Sequence, residues 1–311
     1  MSSDKKNTIK RDRQKKGFKS KLDYINCVIK NRLTRYHIVR LLKHIAFLLF
    51  FAQHSLAQQP NFFSRSEIGF TAGTTFYLGD LNQFKPFYQS NLAGGFMYRF
   101  NVHSRMTLRF TGIYGKVEAY DRDASQPLLV NRNLSFESPI SELAGGIEFH
   151  YFPFQFGNKR YKGTSYMITQ IGVFQMNPQT EYNGELVELQ PLGTEGQNEN
   201  TGNANYSKYQ ICVPLGLGLK LSMGKYFSFN MEIAIRKTFT DYLDDVGRDT
   251  YYDPAALLAL NGEEAVALSN RSLDGNILGR RGNSSNKDWY VYCGGMITFR
   301  LGKGNNCPVI R

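Results

Sequence analysis

This chain of 311 residues is poor in the side chains that build most catalytic and metal sites, with four cysteines, five histidines and one tryptophan. Beyond residue 57 only His103 and His150 remain, too few for a histidine metal set, and both fall near predicted strand ends. Spacings for zinc, for a phosphate-binding loop and for a nucleophile elbow are all missing. Of the later cysteines, Cys212 and Cys293 fall on opposite faces of their predicted strands, which disfavours a bridge between them. Cys307 lies past the last strand, free or paired with another chain. No cofactor and no metal are expected.

Also missing, after residue 57, is any uninterrupted apolar run of the roughly 20 residues that a spanning helix needs. Excess positive charge is missing there too. The chain has a formal net charge of +12, but residues 1–43 hold 14 Lys or Arg against 3 acidic residues. That leaves 24 basic and 23 acidic residues for the rest, so no nucleic-acid partner is expected of it. The basic segment leads into LLKHIAFLLFFAQHSLA at 41–57, with Ser55 and Ala57 placed for cleavage before Gln58. This is the layout of a secretory signal peptide. No cysteine follows the cut, which speaks against a lipoprotein. Because the basic approach is long for a leader, translation starting downstream of Met1 is expected, with a basic cytoplasmic tail as the alternative. The expected division is a basic leader and signal peptide at 1–57, a short linker at 58–65, one folded unit at 66–303 and a tail at 304–311.

What is abundant is alternation. From Ile211 through Val213, Leu215, Leu217 and Leu219 to Leu221 every second residue is apolar. Between them stand Gln210, Cys212, Pro214, Gly216, Gly218 and Lys220. After a short turn, Phe227, Phe229, Met231, Ile233 and Ile235 oppose Ser228, Asn230, Glu232, Ala234 and Arg236. Successive side chains of a strand point to opposite faces, so this is strand periodicity. Six more segments read as strands: 67–77, 91–100, 105–116, 140–151, 165–176 and 288–301, the fifth of these alternating poorly. Long connections (78–90, 117–139, 177–208, 237–287) alternate with short ones (101–104, 153–163, 223–225). Long outer loops and short periplasmic turns are the grammar of outer-membrane barrels.

The expected fold is therefore all-β: an eight-stranded antiparallel transmembrane β-barrel, in the outer membrane of a Gram-negative bacterium and touching its lipid, with both termini periplasmic. Tyr98, Phe100, Phe149, Tyr151, Trp289 and Tyr290 fall near strand ends, where aromatic girdles form. Arg99, Arg109, Glu142, Glu148, His150, Lys220, Glu232, Arg236 and Arg300 fall on the inward face. An eight-stranded barrel is just wide enough for side chains to fill it, and lone buried charges are costly. A plugged, salt-bridged lumen is expected, with a narrow charged channel as the alternative. A rim hydrolase would need carboxylate-only chemistry in the outer loop at Asp241, Asp244 and Asp245. That loop lacks the spacing of a calcium site, and loop-anchoring hydrogen bonds are its default reading.

Five segments go beyond barrel grammar: FYLGDLN at 76–82, YNGELVELQPLGTEGQ at 182–197, VPLGLGLK at 213–220, RKTFTDYLDDV at 236–246 and NKDWYVYCGGMITFRLG at 286–302. In this order, behind a leader, they resemble the PorG-type outer-membrane barrels of the type IX secretion system, over about residues 66–303. The resemblance implies a non-enzymatic subunit of the secretion and gliding machinery. It implies association with a periplasmic ring built from a lipoprotein and its partner, tethered to the outer membrane. It points to Asp80, Asp241, Tyr242, Asp244 and Asp245 as loop-organising residues. A ring contact has to come from the periplasmic side, from the short turns at 101–104, 153–163 and 223–225 or the tail at 302–311; Lys159, Arg160 and Lys162 are candidates, with a solvated turn or a lipid-headgroup contact as the alternative reading of those three. A stand-alone barrel, binding a ligand or forming a narrow pore, is the alternative.

Overall fold

The computed structural model describes residues 65–83, 85–156, 159–198, 203–276 and 279–301. The expected leader at 1–57, all of the linker but Arg65, the tail at 304–311, Cys27 and Cys307 lie outside the described residues. The strands are β1 (Ser66–Leu78), β2 (Asn91–His103), β3 (Met106–Tyr120), β4 (Ser135–His150), β5 (Gly163–Met176), β6 (Gln179–Tyr182), β7 (Glu185–Glu188), β8 (Tyr209–Ser222), β9 (Phe227–Thr238) and β10 (Trp289–Leu301). Eight of them close into a ring in the order β1-β2-β3-β4-β5-β8-β9-β10, all antiparallel, with β10 back on β1. The ring has no free edge. β6 and β7 form a hairpin in the loop after β5, paired with β4 at Glu137 opposite Gln179 and bonded to it again between the Ser135 and Thr180 hydroxyls at 3.0 Å. Among the described residues no helix is long and apolar enough to cross a membrane.

The register fixes the tilt. Stepping between paired residues from Tyr209 gives Gln175, Ser141, Tyr114, Gly94, Ala72, Gly295, Met231 and then Leu219, on the strand where the walk began. The return point is ten residues further along β8. With a rise of about 3.3 Å per residue and a strand spacing of about 4.8 Å, that stagger sets a tilt of about 40°. The outward run from Ile211 to Leu221 then covers about 33 Å along the strand and about 25 Å along the barrel axis, the height of a bilayer-facing band.

The outward face of that band is predominantly apolar: Leu92 is 88% exposed, Ile171 70%, Leu143 66% and Phe70 64%. So much exposed apolar surface in one belt is far more than a water-soluble monomer carries. Above the row Tyr114, Ser141, Gln175 and Tyr209 the pattern inverts. There β3 and β4 put Val117, Ala119, Phe136 and Ile140 inward, and Lys116, Glu118 and Glu137 outward. Lys116 bridges Glu118 and Glu137 on that outer face. Polar-inside becomes apolar-inside, the arrangement of a wall standing in water. This is why β3 runs to Tyr120 and β4 begins at Ser135, both beyond the segments predicted from alternation.

Three details depart from the sequence reading. β5 alternates cleanly in burial although not in hydropathy, because its inward side carries Ile168, Phe174 and Met176 and its outward side Thr169 and Gln175. Phe76 has outward parity but is 3% exposed, because the ring of Phe87 in the first loop covers it at 5.0 Å. Tyr290 is no girdle residue; it points inward and donates its hydroxyl to Glu142 at 2.6 Å. Trp289 does face outward, with the ammonium of Lys237 5.5 Å from its ring.

Inward glycines make room for the bulky interior. A methyl group on Gly218 would collide with the ring of Tyr166, which lies across it from the paired position on β5. Tyr166 is fully buried and holds Glu232 at 2.9 Å, so it has nowhere to go. Gly218→Ala is expected to cost about 1–3 kcal/mol of stability by overpacking, read as a lower urea midpoint for loss of the heat-modifiable band.

Candidate functional site

Inside the band, four cations face four carboxylates. Lys220 Nζ donates to both oxygens of Glu67 at 2.8 Å. Arg99 Nε donates to Glu148 Oε2 at 2.8 Å, and its Nη1 lies 3.8 Å from Glu67. Arg109 Nη1 reaches Glu148 at 3.4 Å and also bonds Glu232, to which Nη2 donates at 3.0 Å. Arg236 Nε donates to Glu142 at 3.1 Å. All eight side chains are 4% exposed or less. Matched charge and dense bonding are what let ionised groups stay buried. His150 Nε2 joins Glu148 at 2.8 Å, inside this network, whereas His103 is exposed at the end of β2. Arg300 is only half-buried, at the end of β10. Glu67 and Tyr166 were missing from the sequence reading. Glu67 shares the inward parity of Gly69 and Thr71, so the same rule would have found it.

Both mouths are covered. At the short-turn end the β4–β5 connection tucks Phe154 and Phe156 inward, their rings 5.2 Å apart, with Lys220 Nζ 4.5 Å above Phe154. At the other end the long loops fold over the ring. They carry α1 (Pro127–Arg132), α2 (Leu189–Leu192) and α3 (Pro254–Ser269), the last opened by Asp253, whose side chain accepts from the Ala256 N–H at 2.9 Å. Leu81, Leu189, Leu243, Val246 and Leu268 from these loops pack against Val117, Phe136, Phe174 and Tyr290 of the wall in one apolar cluster.

The motif residues converge on that cap. In FYLGDLN, the Asp80 N–H donates to the Tyr77 hydroxyl oxygen at 2.9 Å, and Asp80 Oδ2 accepts from the Asn283 N–H at 2.8 Å. Asn82 closes the same turn by donating to the Tyr77 carbonyl at 2.7 Å. Gly79 is required there, because a side chain would strike the Tyr77 hydroxyl and the Asp288 carboxylate. From LGTEGQ, Glu195 Oε1 accepts from the N–H groups of Gly247 and Arg248 at 3.1 and 3.0 Å, and from Arg281. From TDYLDDV, Asp245 accepts from the hydroxyls of Thr194 and Tyr206 while standing at φ 64°. An Asp tolerates that left-handed backbone better than most residues. Tyr242 stacks on Tyr206 with centroids 4.5 Å apart. Arg132 grips Asp121 through Nε at 2.6 Å and Nη2 at 2.7 Å.

Asp241, Asp244 and Asp245 therefore do not share a site. Asp241 lies 3.5 Å from Lys287, Asp244 takes the Val246 N–H at 3.0 Å and meets Tyr77, and Asp245 turns to Thr194 and Tyr206. Among the described residues no group of three or more candidate ligands could hold a metal ion. The Tyr77 oxygen stands 2.6 Å from both Asp244 Oδ2 and Asp288 Oδ1. One hydroxyl proton cannot serve two carboxylates, so one of the two carboxyls holds a proton of its own. Burial raises both, each reinforced by nearby carboxylates. Burial also lifts Asp241 to about 7 against the pull of Lys287, and Asp245 to about 6 against Arg281. Arg132 and Arg281 carried no sequence signal, and Glu195 and Asp288 lay inside quoted motifs without being singled out. Their partners lie far off in sequence, 149 residues for Arg132 and the Arg281 carbonyl and 211 for Asp288 and Tyr77. Lys159, Arg160 and Lys162 are exposed in the β4–β5 connection, away from the cap.

Among solved structures the chain is similar to Neisserial surface protein A, at 6% identity over 76% of this chain and 98% of that one, with TM-score 0.39. It is similar to Ail, the attachment invasion locus protein of Yersinia pestis, at 9% identity over 76% and 97%, with TM-score 0.35. It is also similar to the outer membrane protein OprG of Pseudomonas aeruginosa, at 11% identity over 76% and 98%, with TM-score 0.35. The closed ring itself rests on the strand pairings given above. No curated protein matches the chain in sequence. The family model described as "Domain of unknown function (DUF6089)" matches residues 40–270, and the chain belongs to that family.

Proposed function

We propose that this chain is an outer-membrane barrel of a Gram-negative bacterium that neither conducts nor catalyses, and serves as a structural subunit of the type IX protein secretion and gliding machinery. In that role it tethers the periplasmic ring, a lipoprotein and its partner, to the membrane. The observation that carries the structural half is the filled lumen: a neutral charge network in the band, with Phe154 and Phe156 below it and the loop cap above. The apolar belt supports placement in a bilayer. The secretion role rests on the five motifs. The structural reading adds that three of them, FYLGDLN, LGTEGQ and TDYLDDV, join to make the cap. In this reading the long-loop end faces the exterior and the short turns face the periplasm.

Deleting the gene is expected to stop secretion of proteins bearing the system's C-terminal signal, and purification in mild detergent to bring down a ring lipoprotein. The reconstituted barrel should stay silent in planar bilayers. A second reading, a stand-alone barrel presenting its outer loops to a ligand, is favoured by a cleft of about 380 Å3 between Tyr120, Arg122, Asn133, Thr180 and Arg271. Normal secretion in the deletion strain would select that reading over the first.

A further inference from the structure

We infer that the short-turn rim of the barrel is a binding surface for anionic phospholipid headgroups, a collar of cations seated in the leaflet that this end reaches. The inference rests on the reading of the chain as a bilayer-spanning barrel and adds a lipid class to it.

The charge at this end is of one sign. Exposed Arg105 stands in the β2–β3 turn, exposed Lys159, Arg160 and Lys162 in the β4–β5 connection, and exposed Lys225 in the β8–β9 turn, while Arg65 precedes β1. The carboxylates near this end, Glu67 and Glu148, are fully buried and bound to lumen cations. No exposed Asp or Glu stands in the described residues of these turns. At the long-loop end acidic residues outnumber basic ones.

The distribution selects the occupant. The ring order places β10 beside β1, β9 beside β8, β5 beside β4 and β3 beside β2. Each of these four hairpin or terminal pairs carries at least one cation at the short-turn end, so the charge runs round the whole circumference. A protein partner needs one continuous face; an annulus of lipid meets every side. Aromatic and apolar side chains stand at the same level: Tyr151, Phe152, Met223 and Tyr226 are 49%, 62%, 57% and 57% exposed. An amphipathic ring beside a flexible cation is the pairing that anchors to the headgroup region. Clustered Lys and Arg next to a membrane-spanning wall attract anionic lipid.

The test uses the full chain in nanodiscs of phosphatidylcholine mixed with phosphatidylglycerol, with the retained lipids counted by native mass spectrometry. The variant carries Arg105→Gln, Lys159→Gln, Arg160→Gln, Lys162→Gln and Lys225→Gln, all exposed turn positions; a heat-modifiable band checks its fold. A control carries Lys208→Gln and Arg280→Gln at the other end. Phosphatidylglycerol should be enriched several-fold over the bulk ratio on the wild type and the control, and fall to the bulk ratio on the five-site variant. A bulk ratio on the wild type overturns the inference, as does enrichment that survives in the variant. Loss of an acidic protein partner in the variant, without any headgroup preference in the wild type, overturns it in favour of a protein contact. Failure of the chain to enter the nanodisc at all would sink the barrel reading along with it, whereas absent enrichment sinks the collar alone.

Discussion

Replacing Arg109 with Met should lower the unfolding free energy of the barrel by about 3–5 kcal/mol. Arg109 bonds Glu232 through two nitrogens and Glu148 through one, in the centre of the lumen. Met matches the length of the stem but leaves Glu232 with the Tyr166 hydroxyl alone. A carboxylate stranded in that interior has lost its counter-charge and has no water to replace it. The double variant Arg109→Met, Glu232→Gln removes the stranded charge and should recover most of the loss. Urea titration in lipid vesicles, followed by the heat-modifiable band, reads both. The magnitude decides between a filled lumen and a wet one. In an aqueous channel the same pair would behave like a surface ion pair, worth about 0–1 kcal/mol. A small loss would therefore favour the channel that was the alternative in the sequence.

The loop cap should weaken as pH rises. Burial pushes the Asp241 carboxyl up to about 7 and that of Asp245 up to about 6, and raises the pair Asp244 and Asp288 as well. These groups hold protons in the folded state that the unfolded chain releases near the ordinary carboxyl value of about 4. The folded state therefore binds more protons, and stability falls with rising pH. The decline starts above about 4 and continues through about 6 and about 7 until the pair beside Tyr77 has ionised too. Beyond that, Asp244 and Asp288 face one another as two anions with the Tyr77 proton between them. Protease cleavage of the loops at 177–208 and 239–288 should accelerate over this range while the barrel wall stays intact. Asp288→Asn keeps the shape, supplies a donor to the Tyr77 oxygen and should flatten much of the response. A cap whose cleavage is independent of pH, or slows as pH rises, would contradict the protonated pair.

The two halves of the molecule were not equally legible. Strands facing a bilayer were easy, because lipid imposes one requirement on the outward side and the register transmits it to every second residue. β8 and β9 show this in full. β5 was obscured because its interior side mixes Gln170 with Ile168 and Phe174, as a filled lumen allows. The upper parts of β3 and β4 were missed because they leave the lipid, and the polarity of their faces swaps. Inward charges on the wall could be read from parity, Glu67 included. The cap could not. Its organising bonds, such as Arg281 to Glu195 and Arg132 to Asp121, join loops whose order in the sequence says nothing of their meeting in space. Asp80, Tyr242 and Asp245 were visible as motif residues, but the geometry that uses them was not.

Collision rates of nitroxide labels placed singly at Ile211, Leu215, Leu217, Leu219 and Leu221 bear most directly on the central claim, that the odd positions of β8 face hydrocarbon around a filled centre. Oxygen should reach all five labels and a water-soluble nickel chelate almost none, with oxygen access peaking near Leu215 or Leu217 and falling toward both ends of the run. Free access by the nickel chelate along the whole run would contradict it.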